Sequence, residues 1–248
     1  MTRQLPLKWL EAGEAFPDVR HAWPPNSDAP GLLAAGGSLD ARTLINAYSN
    51  GIFPWYSAGQ PILWWSTDPR MVLRTGDFKL HRSLKKTIQQ FRTQPACEIR
   101  VDSQFAAVIA NCANARRSNQ NGTWILPEMV QAYVALHQAG HAHSIETWVN
   151  GDLVGGLYCV SVGGAVFGES MFAHRTDASK VALAALVALC RTHGVTHIDC
   201  QQNTRHLASL GAAEMPRAEF MAHVRRAIAL PAPPWKFEPL YWSKILDP

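Results

Sequence analysis

The sequence predicts an α/β (α+β) fold in which an antiparallel strand meander precedes a long buried helix. Three apolar segments are joined by Asn-Gly and Gly-Gly dipeptides, which are typical of tight hairpin turns. The segments lie at 143–149, 153–162 and 165–172. Gly155-Gly156 in the second segment indicates that another backbone approaches the strand closely. A helical pattern then covers 178–193 and ends at Gly194.

The first sixty residues are rich in Pro and Gly and are predicted to be mainly loop, interrupted by one helix. That helix begins after a potential N-cap, Asp40, and ends near Gly51. Two aromatic clusters follow, at 53–56 and 62–65. Before the meander, the pattern also predicts strands at 71–73 and 98–101 and helices at 81–91, 104–114 and 127–139.

After the long helix, the chain is predicted to form a strand at 196–200, helices at 204–210 and 216–229, and a Pro-rich tail. Three antiparallel strands, a long apolar helix, a strand and another helix follow the order of elements found in the acetyltransferase-like (GNAT) fold. We therefore expect residues 96–248 to form a GNAT-like domain and residues 1–95 to form a smaller N-terminal α/β domain.

Composition excludes several classes of protein. The longest apolar run, 181–190, has about half of the ~20 residues that a membrane-spanning helix needs. The first 17 residues show no export signal, so we expect a cytoplasmic protein that does not bind membranes. The five cysteines are never closer than ten residues, a spacing that predicts neither a disulfide framework nor a zinc ribbon.

Basic residues are concentrated in one segment. The net charge is +4, but residues 70–100 carry eight basic side chains against Asp77 and Glu98, which gives +6. A basic patch on a nearly neutral body is typical of proteins that contact phosphates. A solvated helix face explains the same charge pattern equally well.

Familiar catalytic and cofactor motifs are not found in the sequence. His137, His141 and His143 are close together but lack the spacing and additional ligands of a zinc site. No Gly-x-Ser-x-Gly nucleophile motif occurs. Residues 173–180 contain no glycine that could help to bind the pyrophosphate of coenzyme A at the start of the long helix. We therefore expect neither a metal nor a cofactor.

Two groups of residues could carry chemistry. Glu169 lies in the third meander strand, and Asp199 and Gln201 lie at the end of the next strand, where this fold opens a cleft. Polar groups in such a place suit proton transfer and substrate orientation, although a buried hydrogen-bond network explains them equally well. The second group consists of tryptophans, which either fill a domain interface or stack on bases. Its members are Trp55, Trp64, Trp65 and Trp124.

Six short motifs occur in order along the chain. They are GIFPWYS (51–57), PILWWSTDPR (61–70), GTWI (122–125), GHAHSIE (140–146), FGESMF with ASK (167–172 and 178–180) and IDCQ (198–201). Together they resemble the motifs of the leucyl/phenylalanyl-tRNA-protein transferases. The resemblance covers nearly the whole chain, from about residue 31 to residue 217.

The resemblance implies a cytoplasmic bacterial enzyme that transfers Leu or Phe, and less readily Met, from aminoacyl-tRNA to the N-terminal Arg or Lys of a protein. The product would then be marked for degradation by the N-end rule pathway. Arg82, Lys85 and Lys86 of the predicted basic helix are expected to contact the tRNA. We expect the enzyme to be a monomer.

The resemblance also implies the residues of the site. Trp55 and Trp124 would hold the terminal adenosine and the nearby aminoacyl group. Glu169, Asp199 and Gln201 would surround the reacting centre. The amino-acid pocket would be aliphatic, formed by Leu157, Val166, Leu183, Leu186 and Ile198.

The chemistry needs no cofactor, because an aminoacyl ester is already activated. Bringing the acceptor amine to the ester carbonyl can contribute ~7 to 11 kcal/mol. We hypothesise that Asp199 orients Gln201, whose side chain engages the amine or the carbonyl. The alternative from a different class is a non-catalytic tRNA- or RNA-binding module that uses only the basic helix and the tryptophans.

Overall fold

The computed structural model describes residues 6–115 and 125–247, which form two β-sheets with helices packed around them. The strands are β1 (Lys8–Leu10), β2 (Leu32–Gly36), β3 (Phe53–Pro54), β4 (Leu63–Trp65), β5 (Arg70–Arg74), β6 (Cys97–Val101), β7 (Ala142–Val149), β8 (Asp152–Val162), β9 (Ala165–Ala173), β10 (His197–Gln201) and β11 (Ala213–Met215). The α-helices are α1 (Ala41–Ser49), α2 (Arg82–Phe91), α3 (Phe105–Asn114), α4 (Pro127–Gln138), α5 (Ala178–Thr192), α6 (Arg205–Ser209), α7 (Arg217–Ala227) and α8 (Ser243–Leu246). Short 3-10 helices lie at Val19–His21, Thr75–Asp77 and Pro239–Trp242.

The first sheet is small and has the strand order β1-β2-β4-β3. β1 runs parallel to β2, whereas β4 is antiparallel to both β2 and β3. Most of the described residues up to residue 60 lie outside helices and strands, as predicted, but the short strands β1, β2 and β3 were not predicted. Sequence patterns missed these strands because β2 is almost entirely buried and shows no polar alternation, and β3 is only two residues long.

The helix α1 begins and ends where the sequence predicts. Oδ1 of Asp40 accepts the N–H of Thr43 at 3.0 Å, which caps the first turn. The helix ends at Ser49, and Gly51 has a φ of +65°, a conformation that glycine adopts without strain. The buried face of α1 includes Tyr48, whose hydroxyl donates a hydrogen bond to Glu169.

The second sheet is mixed and has the strand order β11-β5-β10-β9-β8-β7-β6. The strands from β6 to β9 are antiparallel neighbours, which confirms the predicted meander. At the hairpin turn, Asn150 and Gly151 have φ values of 54° and 82°, as a tight turn of this type requires. β10 is parallel to β9 but antiparallel to β5.

Along the chain, β5 is the first strand of the second sheet and follows β4 of the first sheet. It pairs with β10 and with β11, so the chain passes from the first sheet to the second between Trp65 and Arg70. The sequence pattern did not predict β11, which is three residues long. The division into domains at residues 95 and 96 stays a prediction, and the mixed α/β class is confirmed.

The long helix α5 packs on the second sheet and is buried along most of its length. Gly155 of β8 allows this packing, because a Cβ at that position would lie 2.5 Å from the Cβ of Ala178 and 2.9 Å from its carbonyl carbon. The predicted close backbone approach at this glycine is therefore confirmed. Neither α5 nor another helix in the described ranges has the length and hydropathy needed to cross a bilayer.

The C-terminal segment also packs against α5. The predicted Pro-rich tail contains a 3-10 helix and α8, which bury Trp242, Ile245 and Leu246. Arg191 near the end of α5 donates from Nη1 to the carbonyl oxygen of Lys244 at 2.7 Å. The proline content obscured this structure, because the two helices are only four residues long each.

The substitution Gly155→Ala should destabilise the fold, because the new methyl group must push the first turn of α5 away from β8. Overpacking of this kind typically costs about 1–3 kcal/mol. Gly76→Ala is the matched control, since a Cβ there has no neighbour within 4 Å and the φ is not positive. Urea unfolding of both variants measures the difference, and equal midpoints would contradict the packing argument.

Candidate active site

The candidate site is a cavity of about 650 Å³ that opens where β9 and β10 separate. The parallel pairing of these strands is limited to Ile198 with Val166 and Asp199 with Phe167. Beyond these pairs the strands diverge, and residues 168–171 of β9 and Cys200 and Gln201 of β10 line the space between them. The cavity thus lies at the strand end where the sequence predicted a cleft.

One wall of the cavity is aliphatic. Four of the five predicted pocket residues line it, namely Leu157, Leu183, Leu186 and Ile198. The fifth, Val166, is buried in the same hydrophobic cluster but is not part of the lining. Met171 also lines the cavity and was missed by the sequence analysis.

A fully buried ion pair lies behind the polar end of the cavity. Arg70 donates from Nε to Oδ1 of Asp199 at 2.8 Å and from Nη2 to Oδ2 at 2.7 Å. The two side chains are 0% and 1% exposed. Arg70 was counted in the predicted basic patch, and that assignment was wrong because its guanidinium is entirely used inside the protein.

The guanidinium of Arg70 also connects three other elements. Its Nη1 donates to the carbonyl oxygen of Gly51 at 3.1 Å, just after α1. Its Cζ lies 4.7 Å from the ring centroid of Phe53 in β3 and 4.7 Å from that of Phe220 in α7. Stacking on two aromatic rings suits a planar, weakly hydrated cation. The ion pair therefore fixes β10 relative to the first sheet and α7.

Asp199 in turn shapes the end of β10. Its Oδ1 accepts the backbone N–H of Gln201 at 3.0 Å. Gln201 has a φ of 54°, an unusual conformation for a residue other than glycine. This bend brings Nε2 of Gln201 to Oε1 of Glu169, to which it donates at 3.2 Å. Both oxygens of Asp199 accept hydrogen bonds from Arg70, so the carboxylate is held in one orientation.

Glu169 lies in a ring of hydrogen bonds with two buried tyrosines. Tyr48 of α1 donates from its hydroxyl to Oε1 at 2.8 Å, and the hydroxyl of Tyr133 of α4 lies 3.3 Å from Oε2. The hydroxyls of Tyr48 and Tyr133 are also hydrogen-bonded to each other. Three contacts close this ring, but the two hydroxyls supply only two protons. The ring is complete when Glu169 contributes the third.

Burial raises the pKa of Glu169 from 4.5 to about 8, and the negative charge of Asp199 acts in the same direction. The hydrogen bond from Tyr48, the contact with Tyr133 and the charge of Arg70 lower the pKa but do not outweigh burial. Burial also raises the pKa of both tyrosines. At neutral pH the site therefore holds a protonated carboxyl beside Gln201, which agrees with the proton count of the ring.

Sequence reasoning missed both tyrosines and the role of Arg70. Tyr48 and Tyr133 lie at ordinary core positions of amphipathic helices, and 85 residues separate them. Nothing in a helical pattern distinguishes a tyrosine that packs from one that also hydrogen-bonds a distant carboxyl. The motif PILWWSTDPR ends at Arg70 and was the available signal. However, a charged side chain is normally expected at the surface of a protein.

The predicted aromatic residues have different environments. Trp55 is half-buried, 5.4 Å from Trp65 between ring centroids, and does not line the cavity. Trp65 donates its indole N–H to the carbonyl oxygen of Trp55 at 2.6 Å. Trp64 is fully buried and donates to the carbonyl oxygen of Gly36 at 2.8 Å, so it is part of the core. Trp124 lies outside the described residues.

The basic residues of α2 are not equivalent. Arg82 and Lys86 are exposed and, within the described part of the chain, form no ion pair. Lys85 is partly buried and donates from Nζ to the carbonyl oxygen of Leu246 at 2.8 Å. Of the predicted tRNA contacts, Lys85 is thus also engaged in holding the C-terminal segment.

The clustered histidines are bound to other protein groups. Nδ1 of His143 lies 2.7 Å from Oδ2 of Asp102, and Nδ1 of His137 lies 2.8 Å from the carbonyl oxygen of Ala142. Within residues 6–115 and 125–247, no group of three or more His, Cys, Asp or Glu side chains is placed to hold a metal ion.

Comparison with known proteins gives consistent matches. A family model described as leucyl/phenylalanyl-tRNA protein transferase matches residues 72–225, and a model described as the N-terminal domain of the same proteins matches residues 37–68. A protein of Polaromonas sp. (strain JS666) named leucyl/phenylalanyl-tRNA–protein transferase is 64% identical over 241 residues, or 97% of this chain and 94% of the relative. One with the same name from Albidiferax ferrireducens is 58% identical over 98% of this chain and 96% of the relative.

One solved structure that matches is much more distant in sequence. A GCN5-related N-acetyltransferase from Kribbella flavida is 11% identical, with a TM-score of 0.38 over 68% of this chain and 58% of that chain. A score this low does not establish a shared fold.

The substitution Glu169→Gln should flatten the pH dependence of stability. Because folding raises the pKa of Glu169 from 4.5 to about 8, its contribution to stability is complete below about pH 4.5 and is lost as the pH rises through about 8. The free energy of unfolding of E169Q, relative to the unchanged protein, should therefore increase with pH across this window. Chemical unfolding at several pH values measures it, with the exposed Glu11→Gln as control. Parallel curves for all three proteins would contradict a raised pKa.

Proposed function

The chain belongs to the leucyl/phenylalanyl-tRNA protein transferase family, and from this membership we propose that it transfers Leu or Phe, and less readily Met, to the N-terminal Arg or Lys of acceptor proteins. Family membership makes the protein an aminoacyltransferase with aminoacyl-tRNA as donor and a protein as acceptor. The product is then marked for degradation. The observation that carries the proposal is the aliphatic cavity that ends at Glu169 and Gln201.

The aliphatic wall selects the donor by shape. Its side chains offer no polar group, so discrimination depends on how well the aminoacyl side chain fills the space. Apolar pockets discriminate by roughly 1 to 3 kcal/mol for each misplaced methylene or methyl group. Leu, Phe and Met are unbranched at Cβ, whereas Ile and Val carry an additional methyl group there, which we expect the cavity to reject.

The polar end of the cavity orients the reacting groups. The ester of the donor lies beside Gln201, whose carboxamide hydrogen-bonds the attacking amine or the ester carbonyl. Asp199 is a positioning residue, since its carboxylate holds the backbone of Gln201 and is itself held by Arg70. Most of the rate enhancement comes from alignment, which can contribute ~7 to 11 kcal/mol.

Glu169 accepts and donates the proton that moves during the transfer reaction. Its pKa of about 8 is close to the 7.7 to 8.0 that is typical of an α-amine. Groups with a pKa near the working pH are suited to both accepting and donating protons. In the ionised form Glu169 accepts the proton that the amine loses on attack. In the protonated form it supplies one towards the leaving 3′ oxygen of the ribose.

The remaining parts of the donor are held outside the cavity. Trp55 and Trp124 stack on the terminal adenosine, and Arg82 and Lys86 contact tRNA phosphates, with Lys85 contributing while it holds the C-terminal segment. Residues 96–248 form an acetyltransferase-like domain and residues 1–95 a smaller domain. The enzyme works as a cytoplasmic monomer.

The proposal is tested with purified protein, tRNA charged with labelled Leu, and a peptide that begins with Arg. Label should move to this peptide, and to the same peptide beginning with Lys, but not to a version that begins with Asp. Transfer to all three peptides at equal rates, or to none, would contradict the proposed acceptor specificity.

Gln201→Asn should lower turnover by a factor on the order of ten to a thousand, the range for losing one oriented polar group. Asparagine tolerates the positive φ at this position, so the backbone is kept while the side chain no longer reaches Glu169. Gln202→Asn is the control, because Gln202 is exposed and does not line the cavity. Single-turnover rates and donor affinity separate the effects, and unchanged turnover in Q201N would exclude this role.

Neutralising α2 with Arg82→Gln and Lys86→Gln together should weaken the use of Leu-tRNA and reduce its salt dependence. Each lost phosphate contact lowers the slope of log K against log salt by up to about one unit. Transfer from leucyl-adenosine, which lacks phosphates, should be unchanged. A variant with Arg225→Gln and Arg226→Gln on α7 controls for net charge. Equal losses with both donors would show that α2 acts through the fold.

A further inference from the structure

The outer rim of the cavity carries an exposed arginine and an exposed histidine. Arg205 and His206, the first two residues of α6, line the cavity and are exposed. The side chain of Arg205 has neither an ion pair nor a hydrogen-bond partner among the residues that the structure describes. An unpaired guanidinium at the entrance of an active-site cavity is available to a ligand.

The first turn of α5 adds a second cation near the same rim. Lys180 precedes the lining residue Leu183 by three positions, so both lie on one face of α5. Desolvation lowers the pKa of His206, and the positive charge of Lys180 lowers it further. Lys180 also forms an ion pair with Asp177 at 2.8 Å.

Arg205 is a cation of this rim that no acidic side chain of the described residues neutralises by an ion pair. The charge of Lys180, in contrast, is balanced by Asp177. Glu214 accepts a hydrogen bond from Asn203 at 2.9 Å, and Glu169 lies deeper in the cavity, within its ring of tyrosines. The guanidinium of Arg205 is therefore a cationic group that the rim offers to a ligand.

The two substrates of the proposed reaction carry opposite charges. An acceptor with N-terminal Arg or Lys is cationic, and Arg205 repels it. The donor is anionic, and its charge nearest to the ester is the phosphodiester that links the terminal adenosine to the preceding nucleotide. The planar guanidinium of arginine matches two oxygens of such a phosphate.

We propose that Arg205 binds the phosphodiester on the 5′ side of the donor's terminal adenosine. This inference rests on the proposed function and specifies how the site recognises its donor. The tRNA strand leaves the cavity over α6, and the cationic acceptor approaches from a different side. The exposed cations of α2 do not line the cavity and contact phosphates further along the tRNA.

Three donors with an increasing number of phosphates test the proposal. They are 3′-leucyl-adenosine, which has none, leucyl-cytidylyl-(3′→5′)-adenosine, which has one, and Leu-tRNA. Arg205→Gln should lower kcat/KM about tenfold or more for the two donors that contain the phosphodiester, as expected for a lost charged hydrogen bond. It should leave leucyl-adenosine unaffected. Arg205→Lys should recover part of the loss, because the charge is kept but the planar fork is not.

Lys86→Gln is the matched control, because it removes an exposed cation of α2 and should affect Leu-tRNA but not the dinucleotide donor. Equal loss with R205Q for all three donors, or no loss with the dinucleotide, would overturn the proposal. Inhibition by uncharged cytidylyl-adenosine provides a second measurement, which R205Q should weaken relative to inhibition by adenosine. The proposed function fails separately, if the unchanged protein transfers Leu from none of the donors.

Discussion

The ion pair between Arg70 and Asp199 is the interaction on which the rest of the site depends. Removing two charges from water is costly, and only complete pairing with good geometry compensates for it. Here two parallel N–H···O bonds, a carbonyl acceptor and two aromatic faces satisfy the guanidinium. Removing one partner of such a pair typically costs about 3–5 kcal/mol, since the other charge is left buried and unpaired.

The same ion pair connects the packing of the two sheets to the position of Gln201. Arg70 opens β5 of the second sheet and contacts the first sheet and α7, whereas Asp199 lies in β10 and holds the backbone of Gln201. The position of Gln201 is therefore determined by the docking of the first sheet on the second. Any change that loosens this docking also displaces the carboxamide that faces the cavity.

Glu169 and Asp199 are two carboxyls of the same site that differ in their immediate environment. Asp199 is paired with a cation, whereas burial and the charge of Asp199 raise the pKa of Glu169. Tyr48 and Tyr133 close a hydrogen-bonded ring that has room for a third proton. In the proposed mechanism, Asp199 orients Gln201 and Glu169 exchanges a proton near neutral pH, and this division follows from their different environments.

The sequence by itself determined the local elements and the identity of the family. Hairpin dipeptides, the Asp40 cap and apolar periodicity depend on neighbours in the chain, so the meander, α1 and α5 could be predicted. The aliphatic residues of the cavity were expected from the resemblance to the family. The tertiary structure decided which charges face water and which are paired. Arg70 and Asp199 are 129 residues apart, and Tyr48 and Glu169 are 121 apart. Desolvation and proton sharing between such distant residues arise only when the chain folds them together, and no local pattern records them.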